Sequence, residues 1–132
     1  MPPPLASAQA RLPHGAARQT EVSVGTVTVT ADHAGPGASP LGLLAASLAA
    51  CTAMAARTQL ERLGERGNVE VVVTLDAGPP PLLYRRVLLD YRLDARDARA
   101  LVGALDRGEV TMMLRPAFTI RTAVEHAGQP LL

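Results

Sequence analysis

Polar and β-branched residues alternate from Gln19 to Thr30, with Val22, Val24, Val27 and Val29 on either side of Gly25. A period of two in β-branched residues is the pattern of half-buried strands, so two strands are predicted with Gly25 as the bulge or tight turn between them. Ala6 to Arg11 carries a weaker strand pattern upstream. After a Gly/Pro loop from Asp32 to Pro40, Ser39-Pro40 predicts a helix start, with serine as N-cap and proline at the first helical position. The helix is expected to run from Pro40 to Leu63. Gly64 supplies its stop, and Arg57, Arg62 and Arg66 lie toward its electronegative end. At 1.5 Å per residue that is roughly 36 Å.

Downstream, Val69 to Asp76 and Arg85 to Leu93 are predicted as strands joined by the Gly78-Pro79-Pro80-Pro81 loop, whose prolines exclude it from a sheet interior. Either Asp94 or Asp97 caps a second helix with Ala98, Leu101, Val102 and Leu105 at helical spacing, stopped by Gly108. An irregular stretch containing Met112 and Met113 precedes a last alternating strand, Ala117 to Val124. The order β-β-β-α-β-β-α-β predicts an α+β fold of mainly antiparallel sheets packed on helices. The first two thirds of the long helix are apolar on every face, so every face must be covered. Ala45, Ala46, Ala49, Ala50, Ala53, Ala55 and Ala56 allow close backbone approach. A 132-residue subunit has little else to wrap around such a helix, so it is expected to be central, with a partner chain completing its burial.

Composition narrows the chemistry. The length fits a single domain, residues 1–132. All thirteen basic residues are arginine, which removes Schiff-base chemistry and the phosphate-loop lysine. A net charge of +1 without a basic stripe, and three aromatics (Tyr84, Tyr91 and Phe118), argue against a nucleic-acid partner. The N-terminus has neither the charged nor the apolar region of a signal peptide. The apolar stretch Leu41 to Ala56, at 16 residues, falls short of the roughly 20 a membrane helix needs. A soluble, cytoplasmic protein without a membrane partner is expected.

The single cysteine, Cys51, excludes an internal disulfide, a CxxC zinc site and an intramolecular two-cysteine redox cycle. Cys51 shares a helix face with Leu44, Ser47, Leu48, Met54, Ala55 and Thr58. About three turns from the helix start, it gains little from the helix dipole. It reads either as a small buried hydrophobe or, with an arginine beside it, as a nucleophile. His14, His33 and His126 lack metal-ligand spacing. There is no Gly-x-Ser-x-Gly elbow, and Gly35-Pro36-Gly37 lacks the pattern of a dinucleotide loop. No cofactor and no metal are expected. Asp94, Asp97 and Asp106 read as helix cap and solvated face. Met112 and Met113 read as core gap-fillers or as the lining of an apolar pocket.

The segment Ala38-Ser39-Pro40-Leu41-Gly42-Leu43-Leu44-Ala45-Ala46-Ser47-Leu48-Ala49-Ala50-Cys51-Thr52-Ala53-Met54 resembles the signature helix of the OsmC/Ohr superfamily, the osmotically inducible and organic hydroperoxide resistance proteins. Leu101 to Thr122 resembles the family's second motif without a gap, with Val110, Leu114, Pro116 and Ile120-Arg121-Thr122 in the expected places. The resemblance implies an intertwined homodimer enclosing two long helices. It also implies reduction of organic hydroperoxides by two cysteines, one attacking the peroxide and one resolving the sulfenic acid as a disulfide. Cys51 matches the attacking cysteine, and Gly108 stands at the place of the second. Leu41 stands where the hydroperoxide-resistance branch has a glutamate that orients a thiolate-stabilising arginine. Arg18 is the stand-in for that arginine. Two functions follow. One is a one-cysteine thiol peroxidase, in which Cys51 reacts with an organic hydroperoxide and an external thiol completes the cycle. The other is a catalytically inactive homodimer that binds an apolar small molecule or has a structural or regulatory role.

Overall fold

The computed structural model describes residues 5–15, 19–32 and 38–132. In chain order its elements are β1 (Ala8–Arg11), β2 (Thr20–Val24), β3 (Val27–Ala31), α1 (Pro40–Arg62), β4 (Val69–Asp76), β5 (Leu82–Leu89), α2 (Ala95–Asp106), α3 (Glu109–Leu114), β6 (Thr119–His126) and β7 (Gln129–Pro130). The α+β class and the mainly antiparallel pairing are as expected; α3 and the two-residue β7 are additions. The chain forms two compact units, Met1–Leu44 and Ala45–Leu132.

In the first unit β1, β2 and β3 form an antiparallel sheet in sequence order. Val24 pairs with Val27, which leaves Gly25 and Thr26 as a two-residue turn. Gly25 takes φ +58, the left-handed conformation such a turn needs and glycine adopts without strain. At the start of α1 the Gly42 amide donates to Ser39 Oγ at 2.9 Å, so Ser39 caps the helix and Pro40 occupies the position where a missing N–H costs nothing.

The second unit holds the rest of α1 and a sheet in the order β4-β5-β6-β7. β4 and β5 pair antiparallel, from Val69 opposite Leu89 to Asp76 opposite Leu82. β5 and β6 run parallel, from Leu82 beside Thr119 to Leu89 beside His126. Parallel neighbours need a long crossover, and the segment containing α2 and α3 provides it. β5 lies about three residues earlier than the predicted Arg85 to Leu93. It starts directly after the proline run and ends before Asp90, whose carboxylate accepts from the Asn68 amide at 3.0 Å. β6 starts two residues late because the Ala117 and Phe118 amides donate back to Leu114 O, completing the turn after α3.

The core of this unit gathers Ala56 and Leu60 of α1, Val87 and Leu89 of β5, Leu93, Ala98, Leu101 and Leu105 of α2 and its approach, Val124 of β6, and Leu131. Both helix ends show why the chain turns where it does. At the end of α1, Gly64 takes φ +80. The Glu65 amide reaches Leu60 O and the Gly64 amide reaches Glu61 O, a Schellman closure. At the start of α2, Asp94 rather than Asp97 is the cap, accepting from the Asp97 amide at 2.8 Å. Gly108 ends α2 differently from the expectation. Its backbone is extended (φ −63, ψ 145), and it opens α3 across the stretch predicted to be irregular.

Of the long helix, only Leu48, Thr52, Ala56 and Leu60 are buried, one stripe at a spacing of four. Leu41 and Met54 are exposed. The predicted coverage of every face is therefore not met among the described residues. By length and hydropathy alone α1 would also suffice to cross a membrane. Met112 and Met113 on α3 are 61% and 67% exposed, so they fill no gap in the core.

Candidate active site

Cys51 lies on α1 one residue before the buried Thr52, which turns it to the margin of the packed stripe rather than into it; it is half-buried, and its thiol is free. It borders a cleft of about 560 Å³. One wall is the face of α1 anticipated from helical spacing, Ser47, Met54, Ala55 and Thr58, and the other is the α2–α3 junction from Arg107 to Val110. A hollow of similar size at the end of α1, lined by Arg57, Glu61, Gly64, Glu65 and Arg66, contains charged groups but no nucleophile.

Gly108 is central to the geometry. A Cβ built on it would stand 3.3 Å from Cys51 Sγ, 3.3 Å from Leu105 O and 3.6 Å from Thr111 Oγ1. The position that the resemblance assigns to the second cysteine therefore lies against the sulfur of the first. In this chain glycine leaves that side of the sulfur without a side chain. Leu41, at the place of the family's glutamate, is in the first turn of α1 and 63% exposed. Arg18 lies outside the described residues.

The residue missed by the sequence reading is Arg85. It sits in β5 with none of its surface exposed. A guanidinium cannot shed its charge in a protein interior and must instead be supplied with acceptors. Four other elements supply them. Nε donates to Thr122 Oγ1 on β6 at 2.6 Å. Nη1 donates to Thr52 Oγ1 on α1 at 3.3 Å and to Thr111 Oγ1 on α3 at 2.7 Å. Nη2 donates to Asp106 Oδ1 on α2 at 2.9 Å. The same carboxylate oxygen accepts from Arg115 Nη2 at 3.0 Å, so Asp106, read as solvated face, serves two guanidinium groups. Burial pulls the Arg85 proton affinity below the ordinary arginine value. Asp106 opposes that pull, Arg115 adds to it, and Cys51 opposes it.

A sequence signal for Arg85 did exist. Leu83, Arg85, Val87 and Leu89 are all buried, the inward register of one strand. An arginine in an inward apolar register is a charge that must find partners. Beginning the strand at Arg85 hid that register, because Leu83 fell outside it.

No family sequence model matches the chain, and no curated protein matches it in sequence. Solved structures do match it in shape. Organic hydroperoxide resistance protein OhrB of Bacillus subtilis superposes with a TM-score of 0.68 at 18% identity, covering 91% of this chain and 97% of that one. The organic hydroperoxide resistance protein OsmC of Legionella pneumophila gives 0.67 at 20% identity, over 91% and 96%. An organic hydroperoxide resistance protein of Elizabethkingia anophelis gives 0.69 at 14% identity, over 95% and 98%. Agreement over nearly the whole of each chain, together with the element order and the helix that carries Cys51, shows that this chain has the fold of the OsmC and organic hydroperoxide resistance proteins.

Proposed function

We propose that the chain belongs to the OsmC/Ohr superfamily and acts, as a soluble cytoplasmic homodimer in the oxidative-stress response, as a one-cysteine thiol peroxidase. The observation that carries this reading is Cys51 Sγ at the edge of a cleft lined by Met54, Ala55 and Val110, with the place beside the sulfur left empty by Gly108. The apolar lining suits the organic part of a hydroperoxide. In the first step the Cys51 thiolate attacks the terminal oxygen of ROOH. An S–O bond forms, the O–O bond breaks, and the alkoxide leaves and takes a proton as ROH. With no second cysteine in the chain, the sulfenic acid is resolved by an external thiol. Its sulfur bonds to Cys51 Sγ and water leaves. A second thiol then releases the mixed disulfide and restores the Cys51 thiol.

The expected result is steady consumption of cumene hydroperoxide in the presence of dithiothreitol, reduced to the uncatalysed background by Cys51→Ser. Equal consumption by the parent and the serine variant defeats the peroxidase reading. It favours the second one, an inactive homodimer that binds an apolar small molecule or serves a structural or regulatory role. That alternative is motivated by the same Gly108 and by Leu41.

The homodimer reading rests on α1. A helix with a single buried stripe that leaves Leu41, Ala46, Ala50 and Met54 exposed presents a face that monomers rarely expose, and a second copy of the same face covers it isologously. Sedimentation equilibrium at micromolar concentration is expected to give twice the 13.8 kDa chain mass. A folded monomer there overturns the homodimer.

A further inference from the structure

We propose that Arg85 is the electrostatic partner of Cys51, the buried positive charge that favours its thiolate; this deepens the reading of Cys51 as a nucleophile and rests on it. Three features of the geometry support the assignment. Arg85 Nη1 is bonded to Thr52, the residue next to Cys51 in the helix. The point 3.3 Å from Cys51 Sγ at which a Gly108 side chain would begin is also 3.6 Å from Thr111 Oγ1, the other acceptor of that nitrogen. One hydroxyl thus stands between the guanidinium and the wall of the sulfur's cleft.

The third feature is the charge balance. Three of the four acceptors of Arg85 are neutral hydroxyls. The fourth, Asp106, is shared with Arg115 and 46% exposed on its side chain. Two guanidinium groups on one carboxylate leave a positive charge uncompensated. An anion at Cys51 would compensate it in a setting where burial weakens screening. The remaining charged groups at the cleft are Arg107 and Glu109, which are opposite in sign and both at its exposed rim.

The test is the rate of Cys51 alkylation by iodoacetamide as a function of pH, with folding checked by circular dichroism. Arg85→Gln is expected to slow alkylation at pH 7 by about tenfold and to move the midpoint of the pH–rate profile upward. Asp106→Asn removes the anion that competes for the guanidinium. It is expected to speed alkylation and move the midpoint downward. A structural role alone would drive both variants the same way, by loosening the fold, and would leave both midpoints in place. Opposite shifts support the assignment, and shifts in one direction or no shift in either variant overturn it. If Arg85→Gln does not fold, Asp106→Asn decides alone, and unchanged or slower alkylation overturns the proposal. Alkylation needs no hydroperoxide, so failure of the peroxidase reading would be seen separately, as absent turnover in a protein whose thiol still responds to Asp106.

Discussion

Gly108→Cys is expected to form a disulfide with Cys51 on mild oxidation. The backbone at Gly108 is extended, with φ −63 and ψ 145, a conformation that any side chain adopts. The Cβ position lies 3.3 Å from Cys51 Sγ. With an S–S bond of about 2.05 Å, the Cβ of one half-cystine stands roughly 3 Å from the other's sulfur. A shift of a few tenths of an ångström closes the bond, and the Leu105 carbonyl, 3.3 Å from the same Cβ, must give by a similar amount. Closing a loop of roughly 60 residues should stabilise the chain by about 4 kcal/mol on the chain-entropy estimate. Thiol titration of the unfolded protein is expected to find one group per chain in the parent. For the variant it should find two after reduction and none after oxidation. If both thiols of the oxidised variant still titrate, the wall of the cleft is not where the structure puts it. The same bond would occupy the sulfur, so the oxidised variant should neither alkylate nor turn over hydroperoxide until reduced.

A second large effect is expected in the core. Leu101 is fully buried on α2 within the cluster that includes Leu60, Val87, Leu105 and Val124. Leu101→Ala removes buried methyl groups and leaves a cavity among residues from several elements that cannot all move in, which costs about 2–5 kcal/mol. Against a usual total of roughly 5–15 kcal/mol this is a large share. In urea at a fixed protein concentration, the unfolding midpoint should fall with little change in the denaturant slope. A loss under about 1 kcal/mol would mean that α2 does not close the core in the way described.

The elements legible in the sequence were those whose pattern is local. The Ser39-Pro40 start and the Gly64 stop fixed α1 within one residue, because capping and the left-handed glycine act over a few positions. β4 came out with its predicted bounds, since its alternation is regular and its ends are marked. The features that failed depend on distant partners. α3 has six residues, too short to announce itself by period, and it is held by the Thr111 contact with a strand far away in sequence. The parallel pairing of β5 and β6 depends on where the crossover lands. At the site, Cys51 stood out as the single cysteine and Gly108 was found through the resemblance, and the structure places a side chain at 108 within 3.3 Å of the Cys51 sulfur. Arg85 was lost because its meaning lies in its neighbours, four acceptors from four separate elements, and composition offered thirteen arginines with no reason to choose one.

The network around Arg85 also bears on motion. A helix of six residues has no independent stability in water, and α3 forms one wall of the cleft beside Cys51. It would ordinarily be among the first segments to open. Thr111 is almost fully buried, however, and its hydroxyl satisfies a guanidinium that has no route to solvent. Unfolding α3 alone would leave Nη1 of that charge with Thr52 as its acceptor, at a cost of about 1–3 kcal/mol for the lost hydrogen bond. Local opening of the cleft wall is thereby tied to opening of the core, and the amides of α3 should exchange with solvent on the timescale of β5 rather than that of a surface turn.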